Sequence, residues 1–220
     1  LPDGSTTPAL VPQLYVRVQE GDLQGGGALM AGDNVNLDVT GNLRNGGAIA
    51  GRQVVSLTAE NIDNLGGRLL GSDVEIAART DLNNLGGVIA ANNNLVARAG
   101  RDLNVTSTTR TQSNARGSRT NRDRIAGLYV TGSTGKLLAS AGRDLALAAA
   151  QVQSSGSAAR VANHDLNLNT VQEAQNNTIV WDGANRRSHA SRGVAGMQIQ
   201  KQGDLTLAAG RDLNARAANV

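Results

Sequence analysis

A pair of glycines returns every twenty residues through the first half of this chain, at Gly26-Gly27, Gly46-Gly47, Gly66-Gly67 and Gly86-Gly87. The phrase around each pair recurs as well: GDLQGGGALMAGDNVNLDV, GNLRNGGAIAGRQVVSLTA, ENIDNLGGRLLGSDVEIAA and TDLNNLGGVIAANNNLVARA. Self-similarity at a fixed period of this size is the signature of a solenoid, in which each repeat buries its apolar face only by stacking on its neighbours.

Each unit offers three apolar segments. One contains Leu23, Leu43, Ile62 or Leu82; a second follows the glycine pair, with Leu29, Ile49, Leu69 or Ile89. The third alternates, as in Val35-Leu37-Val39, Val55-Leu57-Ala59 and Val74-Ile76-Ala78. Period-two alternation is the mark of a strand with one buried and one wet face. Three short strands separated by Gly, Asn and Asp turns describe one coil of a parallel β-helix. About 20 residues at roughly 3.3 Å each give a perimeter of ~60 Å, and coils stack about 4.8 Å apart. Asn45, Asn64 and Asn84 recur in register, so they are expected to form an amide ladder at one corner. The glycine pairs mark the corners themselves. Leucine-rich repeats share the period but not the phrase, and the calcium-binding nonapeptide pattern lacks its Asp here.

Composition fits thin aliphatic layers. There is no Phe, one Trp (Trp181) and two Tyr, so Ala, Leu, Val and Ile must fill the core. There is no Cys, which removes disulfides and thiolate metal sites. No apolar run approaches the ~20 residues of a membrane helix. The polar opening LPDGSTTPALVPQ reads as a cut from something longer, and residues 1–20 suit a lead-in strand through Leu14, Val16 and Val18.

After Ala99 the wording changes to AGRDL, at Ala99–Leu103, Ala141–Leu145 and Ala209–Leu213, with ANHDL at Ala162–Leu166. The offset to the preceding strand is nearly unchanged, so the coils are expected to continue. Residues 1–100 carry six Lys/Arg and ten Asp/Glu, whereas residues 101–220 carry fifteen and eight. The added positive charge lies partly in two polar excursions, 107–125 and 173–192. Excursions from a solenoid collect on one face, often the interacting one. The chain thus divides into 1–20, a short-repeat solenoid over 21–99 and an AGRDL solenoid over 100–220.

The phrases GDLxxxGGxLxAGxxVxLxV and AGRDLxLxAA resemble the repeats of filamentous haemagglutinin and related two-partner-secreted exoproteins, including contact-dependent growth-inhibition exoproteins of Gram-negative bacteria. Residues 21–99 resemble the first repeat class and 100–217 the second. The resemblance implies an all-β, right-handed parallel β-helix in a long secreted or cell-surface filament, exported through an outer-membrane partner transporter. It implies a rod that presents or delivers distal adhesin or toxin modules. The Asn-Pro-rich secretion domain, a C-terminal toxin module and an Arg-Gly-Asp motif are not in this stretch.

The Arg-Asp pairs at 101–102, 143–144 and 211–212 invite comparison with polysaccharide-cleaving β-helices, the alternative reading of the chain. Glycoside hydrolysis needs carboxylates facing each other across a cleft. Carboxylates repeated at corners do not form one, so each Asp is expected to cap a turn beside a solvated Arg, and no catalysis is expected. His164 and His189 have no Cys between them, so neither a metal nor another cofactor is expected, and His164 reads as an exposed turn residue.

The first excursion carries Arg110, Arg116, Arg119, Arg122 and Arg124 with one acid, Asp123. Such a run suits a target-cell receptor, a sulfated glycan or lipopolysaccharide. Nucleic acid is not expected, since no aromatic is interleaved. The second excursion adds Trp181, Arg186 and Arg187 to this candidate interaction surface, with Trp181 read as packing the excursion onto the coil or offering a contact to a partner. Cut β-helix ends expose unpaired edges that invite self-association.

Overall fold

A computed structural model describes residues 28–180, 186–195, 198–201 and 203–216. The proposed lead-in strand, Gly26, Gly27 and Trp181 lie outside these residues. The chain is all-β, a parallel β-solenoid of about seven turns with roughly 21 residues per coil.

The first coils alternate long and short strands: β1 (Leu29–Asp38), β2 (Leu43–Asn45), β3 (Ala48–Ala59), β4 (Ile62–Leu65), β5 (Arg68–Ala78), β6 (Leu82–Leu85), β7 (Val88–Ala99) and β8 (Leu103–Thr106). A hairpin then leaves the coil as β9 (Thr108–Asn114) and β10 (Gly117–Arg124). Winding resumes through β11 (Gly127–Val130), β12 (Lys136–Ala141), β13 (Leu145–Ala148), β14 (Gln151–Ser154), β15 (Ala158–Ala162) and β16 (Leu166–Asn169). A second hairpin, β17 (Val171–Val180) and β18 (Arg186–Ala195), precedes β19 (Gln198–Lys201), β20 (Leu205–Ala209) and β21 (Leu213–Ala215).

The short strands β2, β4, β6, β8, β13, β16 and β21 stack into one parallel sheet, and the long strands with their successors into another. Equivalent residues lie directly above one another. One column runs Leu43, Ile62, Leu82, Leu103, Leu145, Leu166, Leu213. A second runs Val35, Val55, Val74, Leu95, Leu137, Ala158, Leu205. From Val55 to Ala158 this second column is buried. Burying one such large aliphatic side chain is worth about 1.5–3 kcal/mol over leaving it exposed, which is how alternation in the sequence becomes a continuous core. The ladder crosses Ala99 without a break, since β6 pairs with β8 and β7 with both β11 and β12.

The coil differs from the three-strand expectation. In the first half, the second and third apolar segments merge into one bent strand, with a register shift between Ala50 and Val54 and between Gly71 and Asp73. A Cβ on Gly51 would stand 2.2 Å from the Val54 carbonyl oxygen, so the chain kinks tightly enough to bulge without losing its pairing. Only past the first hairpin does a loop containing Gly132 and Gly135 split β11 from β12.

The glycine pairs perform two different jobs. Gly66 and Gly86 hold φ at +68° and +61°, the left-handed conformation that a side chain disfavours. Gly67 and Gly87 leave room for the amides: a Cβ on Gly67 would be 2.4 Å from Asn45 Nδ2, and one on Gly87 2.2 Å from Asn64 Nδ2. Into that space Asn45 donates to Asn64 Oδ1 at 2.9 Å, and Asn64 donates to Asn84 Oδ1 at 2.8 Å. Asn64 and Asn84 also donate to the carbonyls of Gly67 and Gly87. Gly47 donates its N–H to Asn45 Oδ1, whereas Gly46 has ample space around it.

Candidate interaction face

Both hairpins leave the solenoid at the corner that the glycine pairs occupy in earlier coils. Ser107 stands where Gly86 does: Gly86 N–H donates to the Thr106 carbonyl, and Ser107 N–H donates to that of Ala148. Its buried hydroxyl donates to the Ala149 carbonyl at 2.7 Å and accepts from Ala126 N–H at 3.0 Å. One side chain therefore ties the departing chain to the returning chain. The next coil turns the same corner without an excursion, with Ala149 at φ +47°.

The two hairpins then find each other. β10 pairs antiparallel with β17, from Gly117 opposite Asn177 to Thr120 opposite Ala174, giving a four-stranded sheet in the order β18-β17-β10-β9. A Cβ on Gly117 would lie 2.0 Å from the Asn176 carbonyl oxygen, and Thr178 N–H donates to Arg116 O at 2.6 Å. The sheet stands beside the rod, and most of its residues are exposed.

Its two faces differ in chemistry, because successive residues point to opposite sides. Arg119 lies opposite both Gln112 and Gln175, and the neighbouring row joins Asn114, Gly117, Asn177 and His189. This arginine and amide face holds a shallow groove of about 330 Å³ near the hairpin tip, to which Arg116 also contributes. The other face is rich in hydroxyls, with Thr111 and Thr120 joined at 2.7 Å and Thr178 and Ser188 at 3.3 Å. Alternation along β18 puts Arg186 and Arg192 on it while Arg187 falls on the first, so both faces carry arginine.

The arginines singled out in the sequence have separate fates. Arg124 turns back onto the rod and donates to the Gly66 carbonyl at 3.3 Å, so it docks the hairpin and is not displayed. Arg110 faces Asp123 at 3.4 Å and Arg122 faces Glu173 at 3.3 Å. Arg116 and Arg119 are exposed and meet no carboxylate among the described residues; Arg119 donates to Asn121 Oδ1. Arg186 and Arg187 lie exposed on β18, joined there by Arg192, which the sequence reading passed over. Together the four strands carry seven arginines against Asp123 and Glu173.

The AGRDL corner departs from expectation. Each Asp caps the following coil: Asp102 N–H donates to Asp81 Oδ1, Asp144 N–H to Asp102 Oδ1, Asp165 N–H to Asp144 Oδ1, and Asp212 N–H to Asp165 Oδ1. The adjacent arginines are not simply solvated. Arg101 bridges Asp81 and Asp102, Arg143 bridges Asp102 and Asp144, and Arg211 bridges Asp165 and Asp212. Hydrogen bonds from Arg101 and Arg211 hold Asp81 and Asp165 below the usual carboxylate range. His164, half-exposed, takes the remaining rung between Asp144 and Asp165. The recurrence of AGRDL places Arg and Asp at the same point of successive coils, and that was the signal for the staircase.

One charged side chain goes the other way. Arg160 points into the core, 1 % exposed, in a column between Ala139 and Leu207. Its Nε and Nη1 have no hydrogen-bond partner, and burial pushes its pKa down to about 10.

No family model, no characterised protein and no solved structure matches this chain. The functional reading therefore rests on the rod, the lateral sheet and the sequence resemblance.

Proposed function

We propose that this chain is a non-catalytic rod segment of a large secreted bacterial surface filament, and that its lateral sheet touches anionic surface chemistry on a target cell. The observation that carries this reading is the contrast between its two parts. The solenoid is an uninterrupted stack whose asparagines and aspartates form ladders between coils. The sheet beside it gathers arginines instead, and Arg116, Arg119, Arg186 and Arg187 there have no carboxylate partner among the described residues. A stack of coils sets distance and direction, and a cationic patch raises the local concentration of anionic groups. Export through an outer-membrane transporter, and presentation of an adhesin or toxin module beyond the rod, follow from the repeat resemblance.

The test is binding of the tag-free chain to immobilised sulfated polysaccharide and to lipopolysaccharide. Replacing Arg116, Arg119, Arg186 and Arg187 with Ser should abolish retention without changing the β-sheet circular dichroism spectrum. Retention by the substituted chain, or failure of the parent to bind either polyanion, contradicts the reading. Release of shortened polysaccharide would favour a β-helix hydrolase or lyase instead.

A further inference from the structure

Five aspartates line the AGRDL corner, Asp81, Asp102, Asp144, Asp165 and Asp212, and consecutive members are bridged by a side chain from the later coil. At three of the four bridges that side chain is a guanidinium, from Arg101, Arg143 or Arg211. The position between two carboxylates is thus a cation seat that the coil geometry builds repeatedly. At the fourth bridge the chain supplies an imidazole. Nδ1 of His164 stands 3.1 Å from Asp144 Oδ1 and 3.7 Å from Asp165 Oδ1. With that imidazole neutral, five carboxylates face three guanidiniums, and the staircase carries two uncompensated negative charges.

We propose that this rung binds one divalent transition-metal cation of the zinc class, held by His164 Nδ1, Asp144 and Asp165. The three residues can each offer one ligand atom, all within 4.8 Å of one another. One imidazole nitrogen with two carboxylate oxygens is a donor set that zinc and its neighbours accept, and solvent completes the coordination at an exposed corner. The carboxylates are held from behind: Arg143 Nε lies 3.2 Å from Asp144 Oδ2, and Arg211 binds Asp165 through both of its oxygens. Such supporting contacts orient metal ligands. The two guanidiniums repel a dication, but they are already matched to Asp102 and Asp212 at their other ends. A dication would cancel the two residual charges. It would also cross-link the plain coil to the one from which the second hairpin departs.

Calorimetric titration of the metal-free, tag-free chain with zinc tests this. One equivalent should bind, and the melting temperature should rise with zinc because the metal binds only the folded state. His164→Arg installs the residue found at the other three bridges; it should keep the fold and lose both zinc responses. His164→Gln serves as a second removal of the ligand, and His189→Ala should change neither response. Cobalt should give visible absorption in the parent that is lost in Asp144→Asn. No saturable zinc binding up to about 1 mM, undiminished binding in both His164 variants, or loss in His189→Ala overturns the assignment.

Discussion

The guanidinium of Arg124 lies on the corner glycine Gly66, donating to its carbonyl oxygen at 3.3 Å. A Cβ at residue 66 would stand 1.8 Å from Arg124 Nη1. The corner repeat and the first hairpin are therefore fitted to each other across 58 residues of sequence. This contact sets the base of the lateral sheet against the rod.

Gly66→Ala should be costly for two reasons, the left-handed φ of +68° and displacement of Arg124. Strain of this kind costs on the order of 1–3 kcal/mol. Gly46→Ala, at the corner three coils before the hairpin, meets nothing closer than 3.8 Å and should fall within about 0.5 kcal/mol of the parent. Denaturant melts of the two variants give the comparison, and equal losses would remove the corner argument.

Asn64 is fully buried and occupies the middle of the amide ladder. Asn64→Ala takes the donor from Asn84 Oδ1 and leaves Asn45 Nδ2 only the Arg68 carbonyl at 3.4 Å, at about 1–3 kcal/mol for a buried group left unpaired. Asn42→Ala removes only an exposed ladder contact, to Asn61, and should cost little. Urea midpoints distinguish the two sites.

Arg160 makes the opposite prediction. Replacing a buried, unpaired charge by an apolar side chain of similar length removes a desolvation penalty, so Arg160→Met should stabilise the chain, by roughly 1–4 kcal/mol by analogy with buried ion groups. A cation whose folded pKa is lowered to about 10 destabilises fully below that value, and the penalty fades as pH rises from 10 toward its unfolded value. The gain from Arg160→Met should therefore be flat near neutrality and shrink above pH 10. A loss of stability at pH 7 would show that the guanidinium has a partner in solution.

The staircase should be acid-labile. Asp81 and Asp165 are held low, so their contribution is complete above the ordinary carboxylate value, near pH 4, and is lost as pH falls through their depressed values. Arg211→Met, which removes the main cause at Asp165, should lower the melting temperature at pH 7 and do so less at pH 3. An equal decrement at both values would assign the loss to packing.

The sequence made the winding legible because stacking repeats one chemical choice at each level of a column. Val35, Val55, Val74 and Leu95 must be apolar together, and Asn45, Asn64 and Asn84 must be amides together. A twenty-residue period is therefore visible in one sequence. The merged long strand was not legible, because a bulge at Gly51 and a true turn use the same residue. Pairing of the hairpins through Gly117 and Asn177 was also hidden: they are 60 residues apart and repeat nothing. Arginine content identified the excursions but not the inward docking of Arg124, which depends on where the corner carbonyl of Gly66 points. Arg160 was lost among alternating residues because only the register of Ala139 and Leu207 shows that its position faces the core.

The division of labour between rod and sheet is tested most directly by removing both hairpins, residues 108–125 and 171–195, and rejoining each corner with the Ala149-Ala150 geometry of the plain coil. Cooperative melting with a β-sheet spectrum should survive, because the ladders between coils do not pass through the hairpins, and binding to sulfated polysaccharide or lipopolysaccharide should disappear. A truncated chain that unfolds, or one that binds as the parent does, would contradict it.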